Sequence, residues 1–255
     1  MSLTDKNFLI NKAISLFNGG SLKKSINEAL KAKKRYPDEP FIYNLLGVLY
    51  AHINAYEDSV KNYSKAIKLN PNYFEAINNV GVAYISWRKF SKAIESFDRA
   101  IEINPSYAEA YNNKGNALKE KGEYKLAIES YEKSIYLNPN FIDAISNLAI
   151  IYDVMGDFNK AQTYFNQAIS LNPTNTSLLY NLANCLFNSQ DFERHELLVR
   201  QSKNGKSRTI PLTAKAHATL ERIKTGSGGL VFPLSGNAVR LAFERVRRRA
   251  GLKDV

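Results

Sequence analysis

Two sets of side chains in this 255-residue chain have the types and spacing to do chemistry. The first is cationic and lies late in the sequence: Lys203, Lys206 and Arg208, then Arg245, Arg247, Arg248 and Arg249. Clustered lysine and arginine neutralise phosphates and release condensed counterions, so this segment is a candidate nucleic-acid surface. The second set is neutral: Asn79, Asn113, Asn147 and Asn181 recur at intervals of 34 residues. A carboxamide both donates and accepts hydrogen bonds, which suits it to the backbone of an extended peptide. Asparagine is a mediocre helix former, so its return in successive helices implies use.

The net charge of +11 is unevenly spread. From Glu196 onward there are 13 Lys and Arg against 4 Asp and Glu, a balance of +9, which leaves 22 against 20, or +2, for residues 1–195. The basicity therefore belongs to the tail. With 44% apolar and 23% charged residues the chain reads as soluble and globular. The opening Met-Ser-Leu-Thr-Asp-Lys lacks the basic flank and apolar core of a secretory signal, and no apolar run approaches the ~18 residues of a membrane span. A cytoplasmic protein is expected. Cys185 is the one cysteine, so it has no intramolecular disulfide partner, and its apolar neighbours from Leu182 to Phe187 mark it as a small core residue. No cofactor and no metal are expected.

The elements that position these residues follow from five prolines, Pro37, Pro71, Pro105, Pro139 and Pro173, each 34 residues after the last. On that register Leu9, Tyr43, Ile77, Tyr111, Ile145 and Leu179 form one column. Three residues on come Lys12, Leu46, Val80, Lys114, Leu148 and Leu182, followed by the small residues Ala13, Gly47, Gly81, Gly115, Ala149 and Ala183. Offsets of three and four define one face of a helix. Glycine inside a helix costs about 1 kcal/mol against alanine, so the glycine column predicts close approach of a neighbouring helix backbone. A second apolar set predicts the other helix of each hairpin: Phe90, Ala93, Phe97 and Ala100, then Tyr124, Ala127 and Tyr131, then Phe158, Ala161, Phe165 and Ala168. Glycines at 122 and 156 supply the turns between the helices, and from the second unit on each second helix stops before an Asn-Pro step.

This pattern resembles tetratricopeptide repeats. The resemblance implies a mainly α fold, an α-α superhelix of five full repeats at 6–39, 40–73, 74–107, 108–141 and 142–175, with a partial sixth at 176–190. Lys12 and Ala29 make the first unit degenerate. Two residues after the first apolar column stand Asn11, Leu45, Asn79, Asn113, Asn147 and Asn181, an asparagine column in four consecutive units that is expected on an exposed face. It resembles the asparagine ladder in the repeat domain of O-GlcNAc transferase, which implies an extended peptide or protein as partner; the alternative is an inherited, merely solvated amide. Most of the 15 Tyr and 13 Phe fall on core columns, which argues against base stacking by the array.

In the tail, the short extended runs Glu196–Gln201 and Ser207–Leu212 flank Asn204-Gly205, a hairpin turn signal. A helix is expected from Thr213 to about Lys224, a brief apolar segment at Leu230–Pro233, and a last helix from Ser235 to Ala250. Residues 191–255 resemble part of the catalytic domain of tyrosine recombinases, the phage-integrase family, through Ser-Lys-Asn-Gly-Lys-Ser-Arg-Thr-Ile-Pro-Leu, Val-Phe-Pro and Arg-Arg-Ala-Gly in that order. The resemblance implies a small α+β fragment in which Lys203 is the remnant of the catalytic lysine. That family also needs a His-x-x-Arg box and a tyrosine nucleophile; the sequence stops where the box would begin, and no tyrosine follows Tyr180. Without those groups no phosphotyrosyl intermediate forms and charge on the phosphate is not offset. A non-enzymatic protein is expected, with a fusion within residues 188–195 of either genomic or assembly origin. Two functions remain open: a peptide-binding scaffold, or a DNA-binding protein of the integrase type acting through the basic tail.

Overall fold

A computed structural model describes residues 3–189, 195–199 and 208–212. Among them are eleven helices and two strands. In chain order the helices are α1 Leu3–Asn18, α2 Leu22–Arg35, α3 Pro40–His52, α4 Tyr56–Leu69, α5 Phe74–Ser86 and α6 Phe90–Ile103. They continue as α7 Ala108–Glu120, α8 Tyr124–Leu137, α9 Ile142–Val154, α10 Phe158–Leu171 and α11 Thr176–Asn188, followed by β1 His195–Val199 and β2 Arg208–Leu212. The chain divides into two compact units, residues 1–144 and 145–255.

In the first unit α1 packs on α2, α3 on α4, α5 on α6 and α7 on α8, and each hairpin also contacts the next. Each of three interior hairpins closes on one aromatic side chain of its second helix. Tyr63, Phe97 and Tyr131 are at most 3% exposed. Fully burying such a side chain contributes about 1.5–3 kcal/mol. The glycine column exists to admit these rings. A Cβ built at Gly47 would lie 2.5 Å from Tyr63 Cδ1, at Gly81 2.5 Å from Phe97 Cε1 and at Gly115 2.6 Å from Tyr131 Cε1. The close neighbour is therefore an aromatic ring, whereas the sequence reading expected a helix backbone. In the first hairpin Ala29, fully buried, takes the ring position and Ala13 the glycine position.

Three of the long connections share a local cause. Asn70, Asn104 and Asn138 stand before a proline and are extended, with φ of −134°, −132° and −138°, as sterics before proline dictate. Their side-chain oxygens accept from the backbone N–H two residues on, at 3.2, 3.1 and 3.2 Å. These Asx turns carry the chain around to the next first helix.

The tight turns share a stricter requirement. Gly20, Gly122 and Gly156 have φ of 73°, 80° and 80°, and Asn54 and Arg88 take the same left-handed conformation at 59° and 58°. All five stand at the same place in the 34-residue register. Glycine meets that demand freely and asparagine nearly so, but arginine does not.

Two expected core positions turn outward instead. Lys12, on a core column, has a side chain 47% exposed that reaches Glu28 at 3.4 Å. Lys114, in the same column, reaches Asp98 at 2.6 Å. Burying either ammonium unpaired would cost far more than the lost contacts, so each stem runs out to a carboxylate.

In the second unit Ala161, Phe165 and Ala168 of α10 are buried, as are Leu148 and Ala149 of α9 and Leu182, Cys185 and Leu186 of α11. Burial pushes the Cys185 thiol up to about 12, with Asp153 adding to the rise, so it behaves as a core residue. Strands β1 and β2 pair antiparallel, with Leu197 opposite Ile210. This is the hairpin expected from the alternating runs on either side of Asn204-Gly205. The turn itself, the expected helices at 213–224 and 235–250 and the segment 230–233 lie outside the described residues.

Candidate functional site

The asparagine column falls on the first helices: Asn79 on α5, Asn113 on α7, Asn147 on α9 and Asn181 on α11. All four are half-buried rather than fully open. In the first unit the cause is a second amide column one residue earlier. Asn79 Nδ2 donates to Asn44 Oδ1 at 3.1 Å, and Asn113 Nδ2 donates to Asn78 Oδ1 at 3.1 Å. Each bond spans 35 residues and ties one first helix to the next. Asn78 and Asn112 are 5% exposed. The sequence reading missed this inner column, although Asn44, Asn78 and Asn112 repeat at the same interval and could have been found by the same alignment.

The geometry leaves the outer amides usable. Asn79 spends one N–H on Asn44 and keeps a second N–H and its carbonyl oxygen. Asn113 accepts only a long contact of 3.5 Å from Asn112 Nδ2. A carboxamide held on one side has a fixed orientation on the other, so less conformational entropy is lost when a ligand docks.

Beside Asn113 an open pocket of about 500 Å³ lies in the first unit, bounded by α5, the start of α6 and α7. Val82, Ile85 and Phe90 supply its apolar lining. Tyr131, whose ring fills the hairpin core, donates its hydroxyl hydrogen to Asn116 Oδ1 at 2.7 Å, so the Asn116 amide is fixed where it lines the pocket.

Of the cationic set, only Arg208 falls within a described element, at the first position of β2. Lys203, Lys206, Arg245, Arg247, Arg248 and Arg249 lie outside the described residues. No group of three or more His, Cys, Asp or Glu side chains among the described residues could hold a metal ion. None of the described helices is long and apolar enough to cross a membrane.

Two-helix units repeating every 34 residues, with an amide column on the first helices and, in three interior hairpins, a ring of the second helix against a glycine of the first, define a helical-hairpin repeat protein. Residues 50–86 and 89–121 match a TPR repeat family, and residues 108–141, 142–175 and 164–209 match tetratricopeptide repeat families. The helical array belongs to the tetratricopeptide-repeat family. One solved relative is MamA, 28% identical with a TM-score of 0.56 over 65% of this chain and 96% of MamA. PilW, described as a type IV pilus biogenesis factor, is 21% identical with a TM-score of 0.66, covering 74% of this chain and 89% of its own. YrrB, described as a TPR protein with an unusual peptide-binding site, is 21% identical with a TM-score of 0.52 over 68% of this chain and 89% of YrrB.

A Haemophilus influenzae Rd protein named as an integrase/recombinase is 37% identical over 62 residues, which is 24% of this chain and 20% of that protein. This chain therefore spans one fifth of the length of the curated relative it matches.

Proposed function

We propose that this protein is a cytoplasmic, non-enzymatic scaffold whose repeat array holds an extended peptide or protein segment. Asn79 and Asn113 contact the segment in the first unit, and Asn147 and Asn181 do so in the second. The observation that carries the reading is the pair of amide bonds in the first unit. Asn44 and Asn78 brace Asn79 and Asn113 from behind, which leaves hydrogen-bonding capacity facing outward at a regular spacing. YrrB, of the same fold, has a peptide site by its description.

The test is capture of binding partners by the full chain and by a variant with alanine at all four positions. Loss of capture with an unchanged melting curve supports the reading. Capture at the wild-type level removes it.

A second reading, DNA binding by a tail without catalysis, has its own support in the +9 balance after Glu196 and in the short integrase/recombinase match. Lys203, Lys206, Arg208 and the arginines at 245, 247, 248 and 249 would then contact phosphates. Residues 191–255 hold no tyrosine to serve as nucleophile. Gel shifts at two salt concentrations decide it, because neutralising several phosphates makes affinity fall steeply with salt. A salt-independent shift, or none, eliminates this reading.

A further inference from the structure

Arg88 is the one turn residue of the five that pays a conformational penalty without an evident packing reason. It stands at φ 58°, where three equivalent turns have glycine and one has asparagine. The left-handed conformation costs an L-residue such as arginine about 1–2 kcal/mol. Residues held in such conformations concentrate at ligand sites. Arg88 lines the pocket beside Asn113 and is largely exposed.

The pocket's charged lining is two cations and one carboxylate. Lys119 lines the same pocket, and neither Arg88 nor Lys119 has an ion-pair partner among the described residues. Arg88 lies 5.6 Å from the centre of the Phe90 ring, a contact that leaves its hydrogen-bond donors unused. Asn116 adds two further donors, because the Tyr131 hydroxyl engages its Oδ1 and leaves the Nδ2 hydrogens unused. Glu120 is the single carboxylate on the rim. Two cations without ion-pair partners and an amide with free donors thus line one pocket with Val82, Ile85 and Phe90.

We propose that this pocket receives an acidic side chain of the bound peptide, together with a neighbouring large apolar side chain. Arg88 and Lys119 neutralise the carboxylate, Asn116 Nδ2 hydrogen-bonds it, and Val82, Ile85 and Phe90 take the apolar group. This proposal rests on the peptide-binding reading and assigns that peptide its composition.

The test is selection of random twelve-residue peptides on the full-length chain at physiological salt, with the basic tail present in every arm. The wild-type protein is expected to enrich Asp or Glu adjacent to Leu, Ile or Phe. Arg88→Gly relieves the turn strain, so it should raise the melting temperature while lowering affinity for the selected acidic peptides at least tenfold. Asn116→Asp keeps the acceptor for Tyr131 but replaces the donors with a negative oxygen, and should reduce the same affinity by a similar factor. Peptides captured without acidic enrichment, or acidic peptides bound equally by both variants, overturn the pocket proposal and leave the scaffold reading standing. Failure to capture any peptide above background overturns both.

Discussion

The side chain of Asn113 donates from Nδ2 to Oδ1 of Asn78 at 3.1 Å, joining α7 to α5 through two carboxamides from neighbouring repeats. The same bond one repeat earlier joins Asn79 to Asn44 at 3.1 Å. Two roles are thereby combined in one column: the inner amide is structural, and the outer amide is held in a fixed pose. Asn78 is 5% exposed, so its oxygen has little water available should the donor be removed.

A double-mutant cycle measures this link. Asn113→Ala and Asn78→Ala should each destabilise the array by about 1 kcal/mol, and the pair should cost less than the sum by about 0.5–1 kcal/mol, because one bond is lost in all three variants. Urea unfolding supplies the values. Additivity within about 0.3 kcal/mol would show that the two amides do not act together.

Gly81→Val places a branched side chain where even a single Cβ would lie 2.5 Å from Phe97 Cε1. Phe97 is fully buried and the helices flanking it are tied by their own hydrogen bonds, so the ring has little room to retreat. The gain in helix propensity is a few tenths of a kcal/mol and the overpacking cost about 1–3 kcal/mol, so net destabilisation is expected. Pairing it with Phe97→Leu should recover part of the loss. A thermal midpoint that stays at or above the wild-type value would mean the ring does not confine this position.

Acid should weaken the first hairpin through Glu28. The Lys31 ammonium, by its hydrogen bond, and then Lys12 hold the carboxyl below its ordinary value of 4.5, against an opposing effect of burial. A depressed folded value means that the stabilisation is complete above pH 4.5 and is lost as pH falls through the lower folded value. Glu28→Gln should therefore lower stability at neutral pH and flatten its decline on acidification. Parallel pH profiles for the two proteins would show that the ion pairs to Lys12 and Lys31 add nothing.

The repeat period and the hairpin order were legible in the sequence because local rules write them, whereas Tyr124, expected on the core face of its helix, is 36% exposed. Proline forbids helix at the residue before it, and apolar offsets of three and four mark one face. Gly122 and Gly156 announced their turns by residue type. Arg88 and Asn54 occupy the same left-handed turn with nothing but register to announce it. The outward Asn79 column was visible as a repeat, yet its half-buried state was not, because that state depends on Asn44 and Asn78 from other helices.

Sequence alone settled what each 34-residue unit must become, since propensity, capping and periodicity act within one or two turns of chain. Tertiary structure alone decided which amides are spent on neighbours, that the glycines face rings rather than backbone, and that Lys12 and Lys114 leave the core for Glu28 and Asp98. Those outcomes depend on which atoms of distant residues meet and how much water remains between them, quantities that no local pattern encodes.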